Sequence, residues 1–457
     1  MVNLDTFDII YSIFLVFLIY TWAGSVQSKK QASIPAYKNF RIGLMFKVSG
    51  AILFCLIYVL FYGGGDTTNY FKGVEAMHAV AQRNFFDYLK LLFLEDGAEA
   101  RTMFYKVRTW PPNYMLKDSR TFTVFKITSV ISFFGLSGFV ATTILLSSVS
   151  FSWVWKLYIF IFDRYPKFKK ELNWAILFLP STLFWGSGIM KDTFSFAATC
   201  YAVYGLYTIF IKKERSLSTL LQLAFAIYLI ISIKSYILFA LLPGLIIFAN
   251  FERLRKIKST FIKIVFIPSM IVIMFGLANI LFFDFQELFG RYSADRLLEE
   301  AAIQNQDLQR DVYGANSFNI GEFEPTIGGA AAKFIPAINA AIFRPYIWES
   351  GGSATMLFSG LETLILMIIC IISILKSPFN YFSNILKDPF LLFSLLFTLI
   401  LGFGVGLSTS NFGALVRYKI PFMPFFVFMV LVAGKIKKEK KNPEEVKEIE
   451  EINNIGD

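Results

Sequence analysis

Histidine is almost absent from this sequence, and its scarcity argues against several kinds of active site. His78 is the single histidine, which argues against metal centres built on imidazole ligands and against a Ser-His-Asp mechanism; we interpret it as a polar surface residue. Cysteine is also scarce, and Cys55, Cys200 and Cys370 are spaced for neither a zinc site nor a disulfide framework. No Walker-type phosphate loop is present. We therefore expect no cofactor, and the use of a metal stays open.

Charged residues are likewise few, at 17% of the chain, whereas hydrophobic residues make up 56% and the mean hydropathy is +0.57. Soluble domains contain only about 45–50% apolar residues. Several apolar runs exceed the roughly 18 residues that mark a candidate membrane span, and they are continuous, which favours helices over the alternating pattern of barrel strands. We therefore predict an all-α polytopic transmembrane helical bundle, with interfacial helices in its external loops.

The net charge of +11 would suggest a nucleic-acid partner in a soluble protein. Here most lysines and arginines fall in short loops and in the C-terminal tail, where positive charge marks the cytoplasmic side of a membrane protein, so we expect no nucleic acid. Residues 1–8 contain two aspartates and no lysine or arginine, and no cleavable signal peptide is expected. The charge pattern predicts a multi-pass protein with the N-terminus outside and the C-terminus in the cytoplasm.

Eleven membrane spans are predicted, because this number places every short cluster of lysine and arginine on the cytoplasmic side. The chain is divided into one transmembrane domain (1–435) with external loops at 63–121 and 284–350, and a charged cytoplasmic tail (436–457). Residues 66–121 are predicted to form amphipathic helices on the outer surface, and 122–135 a surface or re-entrant helix. The predicted spans are about 8–24, 42–62, 138–162, 172–187, 193–211, 218–233, 236–250, 262–283, 353–375, 389–407 and 420–434.

An aspartate that directly follows three glycines comes after the second predicted span. Gly63, Gly64 and Gly65 directly precede Asp66, and three glycines allow the backbone to turn sharply at the membrane surface. Two interpretations of Asp66 are open: it acts catalytically, as a general base or as a cation-binding carboxylate, or it caps the helix that follows. We select Asp66 as the candidate catalytic residue.

The candidate substrate-binding residues share that predicted outer face. Lys191 and Asp192 form an ion pair, or Asp192 caps the next span while Lys191 faces a phosphate. Lys234 interrupts an apolar hairpin, either to snorkel to the interface or to contact a phosphate. Arginine suits bidentate phosphate binding, which favours Arg344 and Arg417. The complete set is Lys191, Asp192, Lys234, Tyr236, Arg344, Glu349, Arg417 and Lys419.

The external Asp66 followed by surface helices, together with the run Arg417-Tyr418-Lys419-Ile420-Pro421, resembles membrane glycosyltransferases of the GT-C type and bacterial O-antigen or exopolysaccharide polymerases. The segments 185–192 and 344–349 look like motifs of bacterial membrane proteins in that neighbourhood. The glycosyltransferase resemblance implies that Asp66 acts as base or metal ligand. The polymerase resemblance implies arginines that grip a lipid pyrophosphate, and the available ones are Arg291, Arg296, Arg310, Arg344 and Arg417.

Together, these observations and the resemblance predict a membrane glycosyltransferase or polysaccharide polymerase that acts on polyprenyl-phosphate-linked sugars at the outer face of a bacterial inner membrane. The expected partners are the lipid-linked sugar and membrane lipids, with other envelope-assembly proteins as an open option. Two alternatives remain. The first is a transporter or flippase of the same lipid-linked glycans, and the second is a non-catalytic membrane subunit of a larger assembly that docks through the 284–350 loop.

Overall fold

The computed structural model describes residues 5–94, 98–255, 294–307, 316–351 and 353–436. Within these ranges the ordered elements are helices, and the one strand-like pairing is an antiparallel bridge between Ser317 and Asn411. The predicted all-helical class is therefore confirmed over the described residues. The predictions for span eight (262–283), for Arg291 and Arg310, for the side chain of Arg296 and for the tail beyond Ile436 lie outside the described residues.

The helices are numbered here in chain order. The first group is α1 (Thr6–Lys30), α2 (Phe40–Leu56), α3 (Asp66–Arg83), α4 (Phe85–Phe93), α5 (Ala98–Val107), α6 (Asn113–Leu116), α7 (Ser119–Phe134), α8 (Phe139–Arg164), α9 (Lys169–Leu172), α10 (Pro180–Trp185) and α11 (Lys191–Leu206). The second group is α12 (Leu217–Lys234), α13 (Tyr236–Arg255), α14 (Ala294–Asp307), α15 (Ile327–Ala332), α16 (Phe334–Phe343), α17 (Ala354–Lys376), α18 (Pro378–Lys387), α19 (Pro389–Ser408), α20 (Phe412–Tyr418) and α21 (Met423–Ala433). Wider π-helical turns continue α2 and α11 and precede α10.

Seven of the described helices are long and apolar enough to cross a membrane, and an eighth candidate is the pair α20 and α21, which is bent by 70°. The structure does not confirm the count of eleven. The seven are Thr6–Lys30, Pro35–Phe61, Phe139–Arg164, Lys191–Ile211, Leu217–Lys234, Ala354–Lys376 and Pro389–Ser408.

The predicted spans four and eleven are not continuous helices. The region of span four contains the π-helical turn Asn173–Leu177 and then α10, which begins at Pro180; proline removes a backbone donor and disfavours a helical residue before it. At about 1.5 Å per residue, neither α10 nor α21 alone can cross a hydrocarbon core of about 30 Å. The helix of span seven, α13, is apolar over a shorter stretch and contains Pro243.

Contacts between α2 and α8 show that these helices are antiparallel. The Asn39 amide near the start of α2 donates to the Tyr158 hydroxyl late in α8, at 2.7 Å. Phe71 lies on α3, the helix that comes directly after α2 in the chain, and its ring centre is 5.3 Å from that of Phe139 at the start of α8. The end of α2 and the start of α8 therefore lie at one end of the bundle, which we term the Asp66 end.

Asp8 fixes the first helix to that same end. Its carboxylate accepts hydrogen bonds from the backbone N–H groups of Val140 (2.9 Å) and Ala141 (3.0 Å). These are orphan donors in the first turn of α8, and a carboxylate there also complements the helix dipole. The start of α1 therefore lies beside the start of α8.

A second polar cluster marks the opposite end of α8, which we term the Asp388 end. Arg164 lies 3.9 Å from the Asp388 carboxylate, and Tyr165 donates to the same carboxylate at 2.5 Å. Lys435, just after α21, pairs with Glu171 at 2.6 Å. The bundle thus carries polar side chains at two separated ends, with phenylalanine-rich packing of α8, α19 and α21 beside them.

Residues 66–121 do form helices, but they differ in how much of their surface is exposed. The short helix α4 buries Tyr88 and Leu91 and exposes Phe86 and Phe93, as an interfacial amphipathic helix does. In contrast, α3 buries one face against α7, with Tyr70 near Phe125. The interpretation of His78 as a surface residue is wrong, because its side chain is buried on this face of α3 and donates to the Ser129 carbonyl at 2.9 Å. The helices of this segment are therefore packed onto the bundle, and α3 holds its first residue in a defined place.

Candidate functional site

The glycine turn before Asp66 has a conformation that only glycine adopts readily. Gly63, Gly64 and Gly65 all have positive φ values, of 65°, 129° and 141°. Gly65 is the N-cap residue of α3. The Thr68 hydroxyl accepts a hydrogen bond from the Gly65 N–H at 3.0 Å and donates one to the Gly65 carbonyl at 2.9 Å. Asp66 is the first residue of the helix and not its cap, so the capping interpretation does not describe its position.

The Asp66 carboxylate instead faces a guanidinium group from a distant part of the chain. Arg417 Nη1, on α20, donates to Asp66 Oδ2 at 3.1 Å. The arginine side chain is 20% exposed, whereas the Asp66 side chain is 49% exposed. The Nε atom of Arg417 is buried and has no hydrogen-bond partner among the described residues. The pair therefore combines an accessible carboxylate with a guanidinium that keeps unused donor capacity.

A second ion pair lies next to the first and is far more deeply buried. Lys234 Nζ, at the end of α12, is 2.5 Å from Asp192 Oδ1 in the first turn of α11, and their side chains are only 7% and 5% exposed. The same ammonium lies 4.3 Å from the ring centre of Tyr418, the neighbour of Arg417. Lys234 is thus held inside the bundle and does not snorkel to the interface.

Lys191 and Asp192 do not pair with each other. Lys191 Nζ is 2.5 Å from Asp118, the residue that precedes α7 and accepts from the Arg120 backbone N–H. Burial alone would raise the pKa of Asp118, but the hydrogen bond and charge of Lys191 outweigh burial and hold that pKa below its usual value. The first predicted alternative, a Lys191–Asp192 pair, is therefore wrong.

Arg344 is held between two aromatic rings. Its guanidinium carbon is 4.8 Å from the ring centre of Phe318 and 5.5 Å from that of Tyr346, and Nη2 is 3.4 Å from Glu349. Nε and Nη1 are buried without a hydrogen-bond partner among the described residues. The two ring contacts and the ion pair with Glu349 hold the guanidinium in place, so these two donors have defined positions.

Two contacts join the Arg344 group to the helix that carries Arg417. Lys419, directly after α20, is buried and donates from Nζ to the Arg344 carbonyl at 3.0 Å. Phe318 stacks on Phe412, the first residue of α20, at 5.0 Å. Tyr236 begins α13 directly after the tip that carries Lys234. The structure therefore brings all the candidate residues to the Asp66 end.

The charges at this end balance in a way that the sequence analysis did not predict. Each of Lys191, Lys234, Arg344 and Arg417 has a carboxylate within 4 Å. The cations are therefore not free to receive an anion without competition. What remains for an anionic ligand is the spare donor capacity of the two arginines.

Sequence reasoning missed Asp118, Lys47 and Glu362. Lys47 and Glu362 are buried charged residues within apolar helices, and such residues are candidates for a functional role, so the sequence did contain a signal for them. Asp118 lies in a mixed polar segment and carried no comparable signal. Within the parts of the chain that the structure describes, no group of three or more His, Cys, Asp or Glu side chains is arranged to hold a metal ion.

No protein-family model, curated protein or solved structure matches this chain. The resemblance to glycosyltransferases and polymerases therefore stays a prediction.

Proposed function

We propose that the protein is a membrane enzyme that transfers or polymerises sugars from a polyprenyl-phosphate or polyprenyl-pyrophosphate carrier at the outer face of a bacterial inner membrane. The observation that carries this proposal is the pairing of a half-exposed Asp66 carboxylate with Arg417, beside guanidinium donors that lack protein partners. An accessible carboxylate can accept a proton, and unused guanidinium donors favour phosphate over neutral ligands.

In the proposed reaction Asp66 removes the proton from the acceptor hydroxyl. A positioned general base typically contributes about 10²–10⁴-fold to the rate. Before substrate binds, Arg417 holds the carboxylate in place through the 3.1 Å contact. The new bond forms between the acceptor oxygen and the anomeric carbon of the donor sugar, while the bond from that carbon to the carrier phosphate breaks.

The leaving phosphate is assigned to Arg344 and to the spare donor of Arg417. Nε and Nη1 of Arg344 lack protein partners among the described residues and can each donate to one phosphate oxygen, and a guanidinium stabilises negative charge as it develops on the leaving group. Lys191 and Lys234 each have a carboxylate partner within 2.5 Å. We therefore assign them to holding the site together and to its electrostatic potential.

The predicted topology is part of the proposal. Asn173 contacts Asn39 and lies towards the Asp388 end, whereas Lys191 lies at the Asp66 end, so the broken segment between them connects both ends. The segment from Arg417 to Lys435 does the same. Counting these two segments and α13 with the seven continuous spans, and adding 262–283, gives the proposed eleven crossings, with the Asp66 end outside.

The test is a mass profile of lipid-linked glycans from cells that lack the protein, complemented by wild type, Asp66→Asn or Asp87→Asn. Asp87 lies on α4 and is the matched control, because it is an aspartate in the same predicted external region and takes part in none of the ion pairs of the described site residues. We expect wild type and Asp87→Asn to restore the profile and Asp66→Asn to fail while reaching the membrane in equal amount. Accumulated single repeat units indicate a polymerase, and accumulated monophosphate-linked sugar indicates a transferase. Full complementation by Asp66→Asn would contradict the assignment of Asp66 as the general base.

A transporter or flippase of the same glycans is the second candidate, and one observation favours it. The segment 173–190 is a discontinuous helix held by buried charges from two neighbouring spans, and discontinuous helices are typical of secondary transporters. Reconstituted vesicles distinguish the two functions, since a transporter moves a labelled lipid-linked glycan across the bilayer without changing its mass, whereas the proposed enzyme changes its mass.

A further inference from the structure

The short helix α10 has a buried charge at each end. At its N-terminal end the Ser181 backbone N–H donates to Glu362 Oε2, on α17, at 2.7 Å. At its C-terminal end the Lys47 ammonium, on α2, donates to the carbonyl of Gly186. A carboxylate at the N-terminus and an ammonium at the C-terminus each satisfy orphan backbone groups and match the sign of the helix dipole there.

Both charged side chains are almost fully buried, with Lys47 3% and Glu362 9% exposed. Charged groups at membrane depth are costly, and they persist where they have a specific task. The structure pairs no carboxylate with Lys47 among the described residues, so its main polar contact is the α10 carbonyl. Charge pairing elsewhere in the bundle therefore does not account for Lys47.

The broken segment is packed against α2 with no spare room. A Cβ atom on Gly50 would lie 2.2 Å from the Leu183 carbonyl oxygen, and one on Gly188 would lie 2.1 Å from the Phe54 ring. The Thr193 hydroxyl closes the turn by donating to the Gly188 carbonyl at 2.6 Å. The turn 186–190 is therefore fixed on both sides.

This turn leads directly into the candidate site. It ends at Lys191 and Asp192, which pair with Asp118 and with Lys234. Glu362 also lies close enough to Lys419 for their charges to interact. The two ends of α10 are thus tied to the residues that surround the Asp66–Arg417 pair.

We infer that Glu362 and Lys47 are positioning residues, which hold the two ends of α10 so that the turn 186–190 presents Lys191 and Asp192 to the site at the Asp66 end. We term these two contacts, Glu362 with Ser181 and Lys47 with Gly186, the α10 clamp. The expected effect of the clamp on turnover rests on the proposed function, whereas the existence of the clamp does not. Neither residue touches the reacting atoms in this scheme. Their role is to keep the broken segment in one arrangement.

The first measurement is amide hydrogen exchange of the full-length protein in lipid nanodiscs, for wild type, Glu362→Leu, Glu362→Gln and Lys47→Met. Glutamine keeps an oxygen that accepts from Ser181 and leucine does not, so the pair separates the hydrogen bond from general disruption. We expect exchange at residues 181–192 to rise about tenfold in Glu362→Leu and Lys47→Met, and less than about twofold in Glu362→Gln. Lys156→Met is the control, since Lys156 lies on α8 and its ammonium contacts the Tyr204 ring on α11, whereas the Lys47 ammonium bonds the end of α10.

The second measurement is turnover of the lipid-linked glycan with the same variants. A misplaced catalytic group lowers kcat by about tenfold or more with little change in KM, so we expect that pattern in Glu362→Leu and partial rescue in Glu362→Gln. Wild-type exchange in Glu362→Leu would overturn the inference, as would wild-type turnover in that variant. If the wild-type protein transfers no glycan, the proposed function is wrong. The hydrogen-exchange data alone then decide whether Glu362 and Lys47 hold the two ends of α10.

Discussion

The buried pair between Asp192 and Lys234 gives a prediction whose size follows from the structure. Both side chains are less than a tenth exposed, so removing one partner leaves the other as an uncompensated charge in the bundle. Such a change destabilises a protein by about 3–5 kcal/mol, whereas replacing both partners with apolar residues is often neutral. We therefore expect Asp192→Leu and Lys234→Met each to be strongly destabilising, and the double variant to recover most of the loss.

The expected shift in melting temperature can be worked from chain length. An unfolding entropy of about 2.1 cal/mol/K per residue, over 457 residues, gives about 1 kcal/mol/K for the chain. Each single variant should therefore lower Tm by about 3–5 °C, and the double variant should lie within about 2 °C of wild type.

Thermal unfolding of the purified protein in lipid nanodiscs measures these shifts, and the double-mutant cycle isolates the pair interaction. Lys435→Met is the matched control, because Lys435 also pairs with a carboxylate but its side chain is 56% exposed. An exposed pair is worth about 1 kcal/mol or less, so this control should shift Tm by about 1 °C or less. Additive shifts in the double variant, or single shifts no larger than that of the control, would refute the reasoning.

Two further predictions concern the groups around this pair. Arg344→Lys keeps a positive charge near Glu349 but removes the planar fork, so the Kd of inorganic pyrophosphate measured by calorimetry should rise about tenfold, while Arg164→Lys at the Asp388 end should leave it unchanged. Asp118→Asn keeps the N-cap of α7 but loses the ion pair with Lys191. The pKa of Asp118 is lowered in the folded state. The ion pair therefore stabilises the fold fully above about pH 4, which is the pKa of an aspartate in the unfolded chain, and this stabilisation is lost as the pH falls through the pKa of the folded state. The Tm difference between wild type and Asp118→Asn should therefore be constant from pH 7 to about pH 4 and disappear at lower pH; a difference that persists below the folded value would contradict it.

Apolar length predicted the continuous spans well, and it could not predict the broken ones. The predicted spans 138–162 and 353–375 correspond to Phe139–Arg164 and Ala354–Lys376. The interval 172–187 is also rich in apolar residues, but its helix stops and starts again at Pro180. A proline is compatible with the first turn of a helix as well as with a kink, so composition alone did not distinguish a broken span from a whole one.

Sidedness predicted which cations approach one another, but not their partners. The positive-inside rule assigns loops to a face of the membrane and thereby brought Lys191, Lys234, Arg344 and Arg417 to one end. Their carboxylate partners depend on how each helix is rotated about its axis. That rotation is set by side-chain packing. These helices are apolar on all sides, so their sequences show little of the hydrophobic periodicity from which the buried face could be predicted.

The balance of charges at the Asp66 end bears on how the proposed reaction would begin. At this end Lys191, Lys234, Arg344 and Arg417 are each held with a carboxylate, because an isolated charge in a bundle of low polarity is costly. A phosphate that reaches Arg417 would then compete with Asp66 for the same guanidinium. Success in that competition would release Asp66 from its partner at the moment when the substrate arrives, and the released carboxylate is the species that can take a proton. On this argument the Asp66–Arg417 contact keeps the base occupied until a phosphate displaces it, and Asp66→Asn removes both the base and the competitor. Loss of turnover with phosphate binding retained would be the signature of that double role.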